Sequence, residues 1–231
     1  NRHKGVNNSY ICTLIRQDLV EEFIEYVSRI KISLASTIMP SIFETNSFLI
    51  KNKNPTLIEY SAFYGSIQIF QYLLMNRVKL TPSLWLYTIH SKNAELIHIL
   101  EYNEVQPPEN DYTNCFDESI KCHHNDIAEY IENNLLEINK THSINTVSYI
   151  LCYRNYSNFP IDFDTDDEFF YLCKFNYNTL VSYFLKKKEK YIEELIKQNN
   201  YVLYIRKDTR YKVLLLYYTL LKKKNVVRKI F

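Results

Sequence analysis

Cys115, Cys122, His123, His124 and Asp126 crowd into one short stretch, and thiol, imidazole and carboxylate are the donor types that hold zinc. Structural zinc asks for closely spaced ligand pairs, Cys-x₂₋₄-Cys or His-x₃₋₅-His. Cys115 and Cys122 are seven residues apart, about two helical turns, so a helix there sets both on one face at a spacing outside that pattern. No metal site and no cofactor are expected. His90 and His98 flank the turn between two expected helices, and no acid or nucleophile is obviously paired with them. A Ser–His–Asp arrangement is recognised by geometry, and no segment advertises one, so no catalytic residue is expected and the chain reads as a non-enzyme. The lysine runs Lys186–Lys188 with Lys190, and Lys222–Lys224 with Arg228 and Lys229, have the charge to contact phosphates. Both fall near expected helix ends, where cations complement the macrodipole, and no RNA-binding aromatic motif accompanies them. Nucleic acid is therefore not the expected partner.

Several function classes drop out on composition. Gly5 and Gly65 are the only glycines, and a phosphate-cradling loop needs several residues without a Cβ. GxGxxG, a P-loop, a kinase glycine loop and a GxSxG elbow are all absent. Five scattered cysteines (Cys12, Cys115, Cys122, Cys152 and Cys173) without CxxC are no disulfide framework and suit a reducing compartment. No charged-then-apolar leader pattern lies near the first residue. The longest apolar stretch, Val213–Leu221, is about half of what a bilayer crossing needs, so a cytoplasmic protein without a transmembrane segment is expected. Charge is unevenly spread. Residues 81–168 hold 4 Lys/Arg against 16 Asp/Glu, and residues 169–231 hold 15 against 4, which suggests two surfaces of opposite sign or contact between neighbouring stacks.

The elements that carry these residues form a repeat. Asn54–Val78 aligns with Thr81–Val105 at an offset of 27, with identities Pro55/Pro82, Leu57/Leu84, Tyr60/Tyr87, Leu73/Leu100, Asn76/Asn103 and Val78/Val105. Each unit reads as two short helices. Asn54 or Thr81 caps the first, with Pro55 or Pro82 at its first helical position. A turn follows near Gly65–Ser66, and Ile69, Phe70, Leu73 and Leu74 supply the apolar stripe of the second helix. The template returns at Cys115–Leu135, with Phe116, Ser119, Ile120, Ile127 and Ile131 in place, and at Thr165–Leu185, where Thr165-x-x-Glu168 is a capping-box signature. Ile11–Val27 fits at an offset of −49, and Leu214–Phe231 at 157. Between units, Ser41-x-x-Glu44 is expected to cap a short helix within Pro40–Ile50. Ile144–Asn155 reads as an unpaired or differently paired helix before the loop Tyr156–Asp164. Tyr201–Tyr218 has strand-like composition with a turn at Asp208–Thr209 as one reading, and a helix continuing the repeat register as the favoured one.

At Thr56–Leu74, TLIEYSAFYGSIQIFQYLL, the chain resembles the ankyrin-repeat superfamily, whose pattern runs TPLHxAAxxGHxxIVxxLLxxGA. Asn54–Glu137, including SLWLY and IKCHHNDIAEYI, is similar to degenerate protist ankyrin proteins with an N-terminal ankyrin-like domain of unknown function. The resemblance implies an all-α, ankyrin-like helical-hairpin solenoid with shortened β-turn fingers, because units 27 and 31 residues apart fall short of the usual ~33. It divides the chain into an N-terminal helical cap with one degenerate unit (1–53), ankyrin-like repeats (54–137) and further degenerate units (138–231). His124 then stands where ankyrin units use a histidine to hold their own turn.

The implied function is a protein–protein interaction module, a scaffold or adaptor that binds an unidentified protein through its concave helical surface. In the ankyrin pattern two variable positions before the glycine face that side; here they are Phe63 and Tyr64, His90 and Ser91, Lys121 and Cys122, and Lys174 and Phe175. Large aromatics exposed together make good interface anchors. The alternative is an electrostatic adaptor to nucleic acid or anionic membrane through the basic C-terminal region. The apolar ending Val226–Phe231 lacks the polar outer face of a terminal repeat, which implies a longer parent protein or self-association.

Overall fold

Thr56 starts the first helix of the clearest repeat: its side chain accepts from the Glu59 N–H, while the Glu59 carboxylate accepts from the Thr56 N–H at 2.8 Å, a capping box. The expected cap at Asn54 is displaced by two residues. Asn54 is left-handed (φ 61°) and Pro55 precedes the helix, its carbonyl taken by the Ile38 N–H. In the next repeat Thr81 begins a tight turn, its carbonyl accepting from Leu84 N–H, so Pro82 lies in that turn and the helix starts two residues later, at Leu84 after Ser83. The computed structural model describes residues 5–136, 150–156, 171–172, 174–177 and 179–183, all helix or connecting segments.

The chain divides into two units, Asn1–Thr141 and His142–Phe231. In the first, eight of the described helices pair as hairpins: α1 (Tyr10–Gln17) with α2 (Val20–Ile30), α4 (Leu57–Tyr64) with α5 (Ile67–Met75), α6 (Leu84–Ser91) with α7 (Ala94–Tyr102), and α8 (Thr113–Lys121) with α9 (Asn125–Asn134). A one-turn helix, α3 (Ser47–Lys51), stands between the first two hairpins, and a 3₁₀ turn, Pro108–Asn110, between the last two. Among the described residues there is no strand, only an isolated antiparallel bridge between Thr37 and Thr56. The Ser41-x-x-Glu44 cap is not formed. Asn46 caps α3 instead, and Glu44 accepts from the N–H groups of Asn7 and Asn46.

Each first helix ends in the same way. A left-handed residue follows it: Asp18 (φ 53°), Gly65 (71°), Lys92 (54°) and His123 (59°). Its N–H returns to the carbonyl three residues back, on Ile15, Ala62, Ile89 and Ile120. The turn of the first hairpin is at Asp18, two residues later than Arg16, where the sequence register puts it.

Successive hairpins meet through their first helices, α1 on α4, α4 on α6 and α6 on α8, and α2 also packs on α5. Most apolar positions expected from the repeat close this core, although Leu74 is only half-buried. Ile69, Phe70 and Leu73, then Leu96, Ile97 and Leu100, then Ile127 and Ile131 are all buried, as are Phe116, Ser119 and Ile120.

Polar ties cross between hairpins at equivalent places. The residue after the left-handed turn reaches the carbonyl three before the preceding hairpin's own turn: Ser66 Oγ donates to Ile15 O, and His124 Nδ1 lies 2.7 Å from Ile89 O. His124 thus fastens the neighbouring hairpin's turn rather than its own. The left-handed residue reaches forward to the next hairpin's second helix. The Asp18 carboxylate accepts from the Gln68 and Ile69 N–H groups at 3.0 Å, and Lys92 approaches Asp126 at 3.7 Å. At the opposite end of the first helices, Glu59 accepts from Ser83 Oγ at 2.5 Å. Trp85, fully buried in α6, donates its indole N–H to Val105 O at 2.7 Å and meets Tyr112 edge-on at 5.0 Å.

Of the second unit, residues 150–153, 171–172 and 179–183 are helical, and the Tyr177 hydroxyl donates to Leu151 O. The capping signature Thr165–Glu168, the helix starting at Ile144, the loop to Asp164, Tyr201–Tyr218, Leu214–Phe231 and both lysine runs lie wholly or largely outside the described residues.

Candidate functional site

The C-terminal ends of α6 and α8 lie side by side because those helices pack together. His90, the next-to-last residue of α6, therefore faces the last turn of α8. Its Nε2 is 2.8 Å from Glu118 Oε1, and the Cys122 sulfur is 3.5 Å from Nδ1 and 3.7 Å from Nε2. Lys121 Nζ closes on both Glu118 oxygens at 2.8 and 3.0 Å. Behind the imidazole stand the rings of Phe48 at 4.1 Å and Phe63 at 5.1 Å, and Phe48 is itself stacked on Phe63. All three donor residues are half-buried, and their ligand atoms lie within 4.8 Å of one another.

Electrostatics follow from this packing. Burial alone would raise the Glu118 pKa, but hydrogen bonds from His90 and Lys121, with the Lys121 charge, hold it below the ordinary carboxylate value. Burial and the Glu118 charge push the Cys122 thiol up to about 12. An activated thiol needs the opposite shift. Cys122 also caps the C-terminus of α8, where the macrodipole disfavours an anion.

The expected row is placed as follows. Phe63 is only 8% exposed and acts as a wall beneath His90. Tyr64 is half-buried, with Arg16 5.9 Å above its ring. Ser91 Oγ donates to Thr88 O, and Lys121 and Cys122 join His90 through the contacts above. Phe63, His90, Lys121 and Cys122 are thus brought together in the first unit. In the second unit, Lys174 is exposed, its ammonium 5.5 Å from the Phe175 ring centroid.

Of the cluster Cys115, Cys122, His123, His124 and Asp126, only Cys122 joins a group of donors, with His90 and Glu118. Cys115 is sealed in the core, His123 is exposed at the left-handed turn, His124 holds Ile89 O, and Asp126 points to Lys92. Both histidines that lacked an evident partner have one: His90 pairs with Glu118, and His98 with Glu101 at 3.1 Å. Phe48 and Glu118 were missed. Glu118 is four residues before Cys122, the spacing of one helix face, and that signal was available. Phe48 sits in a segment without a period, so nothing announced it.

A second feature lies at residues 38–43, whose apolar run Ile38-Met39-Pro40 and Ile42-Phe43 fits neither helical nor alternating spacing. Met39 is 75% exposed and Ile42 93%. Beside them is a cavity of about 140 Å³ lined by Ile38, Pro40, Leu49, Ile50, Pro55 and Tyr60, among others. Small-molecule sites run to about 300–1,000 Å³, so this one has room for a single side chain.

No protein-family model, no curated protein and no solved structure matches this chain.

Proposed function

We propose that the chain is an ankyrin-like helical-hairpin solenoid that serves as a protein–protein interaction module, a cytoplasmic scaffold or adaptor without catalysis. The observation that carries this reading is the recurrence of one left-handed turn at Asp18, Gly65, Lys92 and His123, with ties passing from hairpin to hairpin. Units too small to hide their own apolar faces need such neighbours, and an array of them offers an extended surface for protein segments. The connections between hairpins, residues 76–83 and 103–112, hold no strand, in keeping with shortened fingers. No described helix is long and apolar enough to cross a membrane. On this reading the partner meets Tyr64, His90, Ser91, Lys121 and Cys122, stiffened from beneath by Phe63.

The test is affinity capture from the source cell by three forms of the full chain: wild type, Tyr64→Ala/Lys121→Ala, and Met39→Ser/Ile42→Ser. One protein, retained in high salt by the wild type and lost by the first double variant at unchanged thermal stability, is expected. Loss with the second double variant alone would move the interface to residues 39–43. Capture of nucleic acid or anionic vesicles that collapses as salt rises would overturn the reading in favour of an electrostatic adaptor using residues 186–229.

A further inference from the structure

We propose that His90 Nε2, Glu118 Oε1 and Cys122 Sγ form a site for a borderline divalent transition metal of the zinc type. Imidazole nitrogen, carboxylate oxygen and thiolate sulfur are the three donor classes that zinc accepts. Zinc–nitrogen and zinc–sulfur bonds at tetrahedral angles separate the two donor atoms by about 3.6 Å. The Nε2–Sγ distance is 3.7 Å, but the sulfur stands off the Nε2 lone-pair axis, so the Cys122 side chain must turn about its Cα–Cβ bond to bring the sulfur onto the ion. Nε2 and Oε1, at 2.8 Å, need to part by about half an ångström to reach the separation of two zinc-bound donors. The ion takes the place of the proton now shared between those two atoms. The imidazole proton then resides on Nδ1, and the Cys122 thiol proton leaves to solvent.

The surroundings favour a cation over a thiolate nucleophile. The sulfur is nearly equidistant from the two ring nitrogens, so it lies on neither nitrogen's lone-pair axis and no in-line proton transfer is set up. His90 and Cys122 both stand at helix C-termini, α6 and α8, whose carbonyl ends carry partial negative charge. A divalent ion is stabilised there, whereas a free thiolate is not. Phe48 and Phe63 wall one side of the imidazole, the dry shell that fixes a ligand's orientation. Three protein ligands at a half-buried position leave the fourth to water. Lys121 competes for Glu118, but its side chain is 28% exposed on a flexible stem and can swing outward.

Cobalt(II) is the probe, because thiolate ligation produces a sulfur-to-cobalt charge-transfer band. Titration of the full chain is expected to raise that band and zinc to abolish it. Cys122→Ser removes the band while Cys152→Ser retains it, and His90→Gln weakens binding at least ~10-fold. Lys121→Ala tightens binding, a gain that no merely structural role of the cluster would produce. Unchanged far-UV circular dichroism keeps each variant interpretable. The proposal is overturned if no thiolate band forms, if the band survives Cys122→Ser, or if Lys121→Ala weakens binding.

Discussion

Replacing Asp18 and Lys92 by glycine should move stability in opposite directions, although both residues occupy the same left-handed turn. A side chain in that conformation costs about 1–2 kcal/mol. Glycine removes this cost but adds about 0.4–1 kcal/mol of unfolded-state entropy to be lost, so the net relief is about 0.5–1 kcal/mol. At Lys92 little stands against that relief. Its partner Asp126 is 3.7 Å away and both groups are well exposed, which makes their pairing worth less than about 1 kcal/mol. At Asp18 the lost carboxylate caps α5 through Gln68 and Ile69. A cap contributes about 1 kcal/mol, and a negative charge at a helix N-terminus about 0.5 kcal/mol more. Lys92→Gly should therefore stabilise by about 0.5 kcal/mol and Asp18→Gly destabilise by a similar amount. Gly65→Ala is the internal control. Its new Cβ would meet Ser91 Cβ at 3.5 Å, ordinary contact, so the loss of about 1 kcal/mol is conformational alone. Urea melts of the full chain followed by far-UV circular dichroism resolve these differences. If both glycine variants gained stability, the reach of Asp18 to α5 would be energetically empty. If both lost it, the ties would outweigh the backbone cost everywhere.

Other consequences can be measured on the same protein. Thr88 is fully buried and its hydroxyl finds no hydrogen-bond partner among the described residues, whereas its equivalents Ser61 and Ser119 bond to Ile58 O and Phe116 O. Thr88→Val should raise stability by about 1 kcal/mol, and a lower melting midpoint would show that the hydroxyl is satisfied. Glu59→Gln strips charge from the bonds to Thr56 and Ser83 and should cost about 1.5 kcal/mol in the same melts. Burial pushes the Cys115 thiol up to about 12, above its unfolded value near 8.5. Stability from that thiol is complete below pH ~8.5 and is lost as pH rises toward 12, so Cys115→Ala should flatten the alkaline limb of a stability–pH curve. A thiol reagent at neutral pH should label exposed Cys152 at once and leave Cys12 and Cys115 untouched until urea unfolds the chain.

The hairpins were legible because their apolar spacing is local. Ile69, Phe70 and Leu73 repeat as Leu96, Ile97 and Leu100, and both sets are buried. Helix starts were less legible. Asn-Pro and Thr-Pro look like cap and first turn, yet Thr56 and Glu59 form a better reciprocal cap than Asn54 can. The first hairpin's register slipped because its turn uses Asp18 where the template carries glycine. Nothing local could place Phe48 against His90, since α3 belongs to no repeat. The His90–Glu118–Cys122 cluster joins two hairpins, so its geometry is a product of how α6 and α8 pack. The membership of His90 and Cys122 in one row and the four-residue spacing of Glu118 and Cys122 hint at it without giving its geometry.

Trp85 is the chain's only tryptophan, and it sits where the third hairpin's end and the approach to the fourth close over α6. The molecule thus carries a built-in optical reporter at a single, central junction. Its emission will register the parting of those two hairpins as water reaches the indole, while fraying that begins at the first hairpin stays dark until it arrives there.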